Sequence, residues 1–404
     1  MTQFSIFQCL IMMKTQYRKV KNPNLIMVCS YLLMSIPFLS FCQKLQFTYK
    51  SQVVINSSSQ EDDFISASHD SILIYTSELK ESGPILQVSK LNLNTFVQET
   101  FILRISSEKQ FKGIISIEFS KDFLIVLSYD IIRVFENKNK YELVASIDNE
   151  DSYDEVHWLN QNKFLFSTSY HYHPLDQKIN TRLSVYDAAQ NRFIKSIIPS
   201  MDAIEYTHFT HHFVDVGKET IFFSNTLRYL IYTYDFNLNP LDTISTKKKN
   251  WISYPGDKIP FETSLDKVGA KELMSQLSRD DKNHHRIEQV YTLEDDRLIV
   301  LFREPGCAYK YRMGDIWKRI KNKWVLEVKD QKLSNSPWWL TRKNFGLSYY
   351  KKFLFTENRL IIIQMGVPEK FNVPIYLFMA KVNNYLRNNP NPPQSIYFYD
   401  FNVN

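Results

Sequence analysis

A short polar turn followed by an unbroken apolar run recurs six times along the chain, and this repeat constrains the fold more than any other feature. It stands as Ser68–Tyr75 (SHDSILIY), Ser120–Leu127 (SKDFLIVL), Asn160–Phe166 (NQNKFLF), Gly217–Phe223 (GKETIFF), Glu294–Val300 (EDDRLIV) and Thr356–Ile362 (TENRLII). An apolar run without alternation marks a strand covered on both faces, and a turn this short makes each copy the corner of a hairpin.

A second pattern follows most copies: an aromatic with an acid at a strand end, then a turn and another strand. Phe135-Glu136, Tyr186-Asp187, Tyr234-Asp235 and Tyr399-Asp400 are the instances. Together the two patterns predict units of four antiparallel strands, here named a to d, which is a propeller blade rather than a helical repeat. In the second unit the strands are expected near Ile114–Phe119, Phe123–Ser128, Ile131–Phe135 and Tyr141–Ile147. The last unit lacks strand d, because the chain ends soon after Tyr399-Asp400, while Leu45–Lys50 precede the first unit without a partner. Pairing these two remnants removes both defects. With insertions at 247–284 and 366–393 set aside, each unit has about 49 residues, against the 40 to 50 of a four-stranded blade. The expected fold is therefore all-β, a six-bladed propeller over residues 43–404 closed by an N-terminal strand. The spacing of Ala270, Leu273, Met274 and Leu277 adds a short helix over 268–278, and 375–386 reads equally as helix or hairpin.

Composition supports strands and removes some function classes. The 29 Phe and 24 Tyr suit half-buried pleated surfaces, and only 9 Gly argue against phosphate-cradling glycine loops. Residues 1–42 hold Lys14, Arg18, Lys19 and Lys21 and no acid, so they account for four of the formal +6. The rest of the chain has no basic field of the kind that draws nucleic acid. The same segment places its basic stretch before the uncharged run Leu25–Phe41, the pattern of a signal peptide, with Ser40 and Cys42 suited to a cut before Gln43. The expectation is export to the periplasm or beyond, with an uncleaved anchor or a lipid on Cys42 as the alternatives. Three of the four cysteines lie in this leader, so Cys307 has no disulfide partner and is read as a packing residue.

In such a meander the a–b and c–d turns lie at one end of the sheets and the b–c and d–a connections at the other. Nearly all the length sits at the second end, in Ser77–Pro84, Tyr170–Asn180, Thr246–His285, Gln331–Tyr349 and Gly366–Pro393. Long connections of this kind commonly carry function. Trp338 and Trp339, with Trp251, Tyr254, Tyr172 and Arg342, could form a stacking platform, or could pin a long loop to the body. His171, His173, His208 and His285 share that end, and Arg303 closes a b strand beside Glu304. Three imidazoles suit zinc. Their spacing over distant loops is not a metal motif, however, and the reading adopted is polar loop residues with no metal and no cofactor.

In its blade layout over 45–404 the chain resembles the secreted six-bladed, TolB-like propellers of unassigned function from Bacteroidetes-type bacteria. It has no Gly-His and Trp-Asp pair, no kelch double glycine, no sialidase box and no GxSxG. The resemblance implies fold and export and carries over no catalytic residue. The function expected is a non-catalytic propeller at the cell envelope that binds a glycan, peptide or envelope protein on its loop-rich end. A carbohydrate-active hydrolase or lyase with its site at the axial mouth is the alternative, and would need paired carboxylates there.

Overall fold

The computed structural model describes residues 45–55, 64–68, 71–80, 83–92, 95, 97–104, 113–138, 141–168, 182–199, 212–225, 228–245, 251–252, 283–293, 296–305, 312–332, 351–356, 359–365 and 394–403, with side chains between 85 and 330 of these runs. The signal segment, Cys307 and the segments 268–278 and 375–386 lie outside them.

The described strands form six four-stranded antiparallel sheets in chain order. Sheet one holds β2 (Phe64–Ser68), β3 (Ser71–Lys80), β4 (Gly83–Asn92) and β5 (Gln98–Arg104). Sheet two holds β6 (Ile114–Phe119), β7 (Phe123–Ser128), β8 (Ile131–Asn137) and β9 (Tyr141–Asp148). Sheet three holds β10 (Glu155–Asn160), β11 (Lys163–Ser167), β12 (Leu183–Asp187) and β13 (Arg192–Ile197). Sheet four holds β14 (His212–Val216), β15 (Ile221–Asn225), β16 (Leu230–Tyr234) and β17 (Pro240–Ser245). Sheet five holds β18 (Arg286–Leu293), β19 (Arg297–Arg303), β20 (Arg312–Ile320) and β21 (Lys323–Lys332). Sheet six holds β22 (Lys351–Thr356), β23 (Arg359–Met365) and β24 (Gln394–Val403), and its fourth strand is β1 (Leu45–Ile55). The first strands of successive sheets touch in order from β2 to β22.

The unbroken apolar runs become the second strand of each sheet, and both faces are used where side chains are described. Along β7, Leu124 and Val126 pack with Leu86, Val88 and Leu103 of sheet one, while Ile125 and Leu127 pack with Phe164 and Phe166 of sheet three. Along β15, Phe223 faces Leu165 and Val185 of sheet three, and Phe222 faces Val290 and Val300 of sheet five. Alternation by two thus shares one strand between two cores. The fourth strands are different: β9 alternates half-buried and exposed positions throughout, as expected at a rim.

The aromatic before the acid marks a repeated irregularity. Val134 pairs Ala145 but Phe135 pairs Leu143, so Val144 is an extra residue in β9. The same slip leaves Ile194 extra opposite Tyr186, Leu241 opposite Tyr234 and Glu327 opposite Trp317. It recurs between β24 and β1, where Tyr399 pairs Tyr49, Phe398 pairs Ser51, and Lys50 is extra. A β-bulge of this kind bends the rim strand and turns the extra side chain outward. Val144, Ile194 and Leu241 are accordingly 44%, 39% and 49% exposed, whereas Phe135, Tyr186 and Tyr234 are buried. The acid then closes the turn: Asp187 Oδ1 accepts from the backbone N–H groups of Ala189 and Gln190, and Asp235 Oδ1 from those of Asn237 and Asn239.

Two expectations need correction. Ser77–Pro84 is no loop, because Ser77 to Lys80 pair with Gly83 to Leu86, which leaves only two residues between the strands; Ser77 and Thr76 continue a strand that the polar composition had hidden. Tyr399-Asp400 is not a strand end, since β24 continues to Val403 against Leu45 of β1.

Candidate functional site

The first strands carry charged side chains at positions that the core does not cover. β10 places Glu155 and His157 on one side of the strand, two residues apart. β6 places Glu118, and β14 places Asp215, each as the last residue but one of its strand, next to the short turn. Glu155 pairs with Ser167 at the opposite, loop-rich end. The four residues therefore form a polar group spread along the strands, with Glu155 nearest the loops and Glu118 and Asp215 nearest the short turns.

His157 Nε2 lies 3.5 Å from Glu155 Oε2, is itself shielded from solvent, and has no hydrogen-bond partner of good geometry. Burial works against its charged form, but Glu155, with Asp215 and Glu118 farther off, outweighs burial and holds the imidazole above its ordinary value. Glu155 is weakly held in return, since Ser167 Oγ donates to it at 3.4 Å. Its side chain is 38% exposed and that of His157 26%, so solvent reaches the group. Asp215 Oδ2 accepts from the backbone N–H of Thr292 on β18, and Thr292 Oγ1 donates to the Val216 carbonyl at 3.3 Å. Burial raises the Asp215 carboxyl to about 6 in spite of the Thr292 donor and the His157 charge. Glu118 is buried, and its Oε1 accepts from the Phe119 N–H at 2.9 Å.

An acidic platform adjoins Glu155 at the loop-rich end. Asn149 builds it: Nδ2 donates to the carbonyls of Ser128, Tyr129 and Tyr153, Oδ1 accepts from the Tyr153 N–H, and the Asn149 N–H donates to the backbone carbonyl of Asp130. This ties the β7–β8 turn to the connection 149–154. Asp130, Asp148, Glu150 and Asp151 are exposed there, and Arg182 pairs with Asp151. Below them Tyr153 donates to Ser184 at 2.6 Å, and burial pushes its phenol up to about 12. Tyr129 is 74% exposed on the same turn. It is held beside Gly113, whose φ of +58° and the 2.6 Å from its would-be Cβ to the tyrosine ring leave no room for a side chain.

Of the residues expected to bind, Trp338, Trp339, Arg342, Tyr254, Tyr172, His171, His173 and His208 lie outside the described residues. His285 is buried, its Nδ1 accepts from the Ile252 N–H at 3.0 Å, and its ring stacks on Trp251 with centroids 4.7 Å apart. Trp251 also meets Tyr229 edge-on at 5.3 Å and lies 5.8 Å from Phe302. These two residues pin the ends of the 246–285 connection to sheet five. Arg303 is buried and its Nε lies 3.7 Å from Glu288 Oε1 on the neighbouring strand. Tyr229 donates to Asp315 Oδ2 at 2.7 Å and receives Trp317 Nε1–H at 2.9 Å beneath the same cluster. Among the described residues, no three His, Cys, Asp or Glu converge closely enough to hold a metal ion.

The group Glu118, Glu155, His157 and Asp215 was not singled out from the sequence. The available sign was a charged residue inside several of the strands that precede a polar turn, as in IISIEF, EVHWLN and HFVDV.

No family model matches the chain, and no curated protein matches it. Among solved structures it is similar to the N-terminal domain of Nup159, with 12% identity over 80% of this chain and 77% of that one at a TM-score of 0.36. It is also similar to the Neurospora crassa Pan2 WD40 domain, with 9% identity, coverage of 79% and 82%, and a TM-score of 0.39. A computationally designed protein, Ika8, gives 6% identity, coverage of 78% and 85%, and a TM-score of 0.36. At these scores and identities none of the three lends its function to this chain.

Proposed function

We propose that the six sheets close into a six-bladed propeller and that the protein is a non-catalytic binding module using the end where the long connections emerge. Closure is supported by β1. It takes the place of a rim strand in sheet six with the same bulge as the rim strands of sheets two to five, and residues 56–63 then lead directly to β2 of sheet one. An eight-residue link reaches about 30 Å at most, which suits sheets one and six standing side by side in a closed ring.

The observation that carries the binding reading is the asymmetry of the connections. Short turns at 69–70, 120–122, 161–162, 217–220, 294–296 and 357–358 close one end, whereas 168–182, 198–211, 246–285, 333–350 and 366–393 all emerge at the other. A propeller needs none of this added length to fold, and extended connections grouped at one end of a rigid scaffold are a usual seat of recognition. Trp338, Trp339, Tyr254 and Arg342 belong to these connections.

The test is a Trp338→Ala/Trp339→Ala variant, assayed against a ligand first identified on glycan and peptide arrays. Stacking contacts contribute about 0.5 to 1.5 kcal/mol each beyond burial, so affinity should fall roughly tenfold or more with little change in melting temperature. A loss of stability with unchanged affinity per folded molecule would show that the tryptophans only pin their loop.

A further inference from the structure

We infer that the tip of the β20–β21 hairpin, Lys318–Val325, docks on an anionic lipid surface, with Lys318, Arg319, Lys321 and Lys323 among the headgroups and Ile320 and Val325 entering the apolar layer beneath. This goes beyond the binding reading above, since it concerns the end of the sheets opposite the long connections. The tip departs from the chain's own repeat. Where Phe135, Tyr186, Tyr234 and Tyr399 are each followed by an acid, Trp317 is followed by Lys318, and four cations then stand in six residues with no acid among them. The turn itself does not ask for them. Lys321 and Asn322 have φ of +48° and +62°, the type I′ pattern in which glycine, asparagine or aspartate is favoured over lysine.

The hairpin also projects. Lys318 pairs with Arg297, the first residue of β19, so the pairs Arg319↔Trp324 and Ile320↔Lys323 extend about 7 Å past that strand. In sheet two the overhang is the single pair Asn137↔Tyr141, and in sheets three and four the corresponding hairpins end level with their second strands. The two faces of the tip differ. Trp324 packs edge-on against Phe222 of sheet four with ring centroids 5.4 Å apart, while the other face carries the cross-strand pairs Lys318↔Val325 and Ile320↔Lys323, with Ile320 48% and Val325 45% exposed. None of the four cations is in an ion pair with a described residue. The neighbouring turn carries Glu294, Asp295 and Asp296, so it is the tip, and not this end as a whole, that is cationic. Aliphatic side chains interleaved with lysines suit a lipid interface, where lysine stems lie along the acyl boundary and their heads stay among the phosphates. A nucleic acid would use the cations and leave Ile320 and Val325 in water.

The test is co-sedimentation of the full chain with vesicles of phosphatidylcholine alone and of phosphatidylcholine mixed with phosphatidylglycerol. Each cation at an anionic surface is worth about fivefold in partitioning. Lys321→Gln/Lys323→Gln should therefore weaken binding to the mixed vesicles roughly tenfold or more, and Ile320→Ser should weaken it severalfold. Lys121→Gln/Lys218→Gln removes the same charge from two other short turns at this end and should change little. All five positions are exposed, so the variants keep the fold, and a melting curve of each checks it. Residues 1–42 are common to every variant, so binding through them cancels in the ratios. Equal losses in the two lysine pairs would reduce the effect to net charge and overturn the inference, as would equal binding of the natural chain to the two kinds of vesicle. An unchanged affinity in Ile320→Ser, with a DNA duplex or an acidic peptide held as tightly as the mixed vesicles, would assign the tip to a polyanion and overturn the lipid partner.

Discussion

Asp215 shows how burial sets the charge state of a single residue. The folded chain raises its carboxyl to about 6 from the usual 3.8, so between those values the native state holds a proton that the unfolded chain has released. Stability contributed through this group therefore falls as pH rises through that window, and keeping Asp215 ionised at neutral pH costs on the order of 3 kcal/mol. His157 acts in the same sense: its folded value is raised, so its contribution is present in mild acid and is lost as pH rises through that folded value. Asp215→Asn keeps an oxygen for the Thr292 N–H and removes the charge. It should be more stable than the natural protein near neutral pH, with the advantage shrinking to nothing below about pH 4. Thermal melts of both proteins across that range decide the matter; a difference independent of pH, or a variant that is less stable at neutral pH, would contradict the assignment. Nothing in the sequence around Val214-Asp215-Val216 reveals this burial, because the Thr292 partner is distant along the chain and belongs to the next sheet.

At the scale of elements much of the fold is legible, and the reason is physical. A strand covered on both faces has little room for polar residues, so FLIVL and LIVLF announce themselves, and the strands predicted in the second unit match β6 to β9 to within two residues. Polar strands are hidden by the same logic, as Ser77–Lys80 shows, and the bulges could not be read from the sequence because exposed Val144 and Ile194 look like core residues. The pairing of β1 with β24 was legible from the defect at each end of the repeat. Its strand is longer than expected, running to Ile55. A chain beginning at Asp62 removes the whole of β1 and leaves the edge of β24 unpaired. It should lose several kcal/mol of stability, from the lost ladder bonds at about 1 kcal/mol each, and should aggregate through the exposed edge. Cooperative unfolding at the temperature of the longer chain would show that β1 holds nothing.

The described sheets share their cores in chain order, and the long connections grow at one end of them. The first follows from hydrophobic alternation. The second is a choice that the core does not require, and the loop lengths alone made it visible, although the charged residues Glu118, Glu155, His157 and Asp215 of the first strands were not. Alternation within a first strand tells which side a residue faces, and it cannot tell which residues of other strands it will meet there. The claim that recognition occurs at the loop-rich end is tested most directly by amide hydrogen exchange of the full chain with and without an array-identified ligand. Protection is expected in the connection 149–154 and in segments 168–182, 246–285 and 333–350, with the rim strands β9, β13 and β17 unchanged. Protection confined to the short turns 120–122, 161–162, 217–220 and 294–296 would place the ligand on the opposite end and contradict the account.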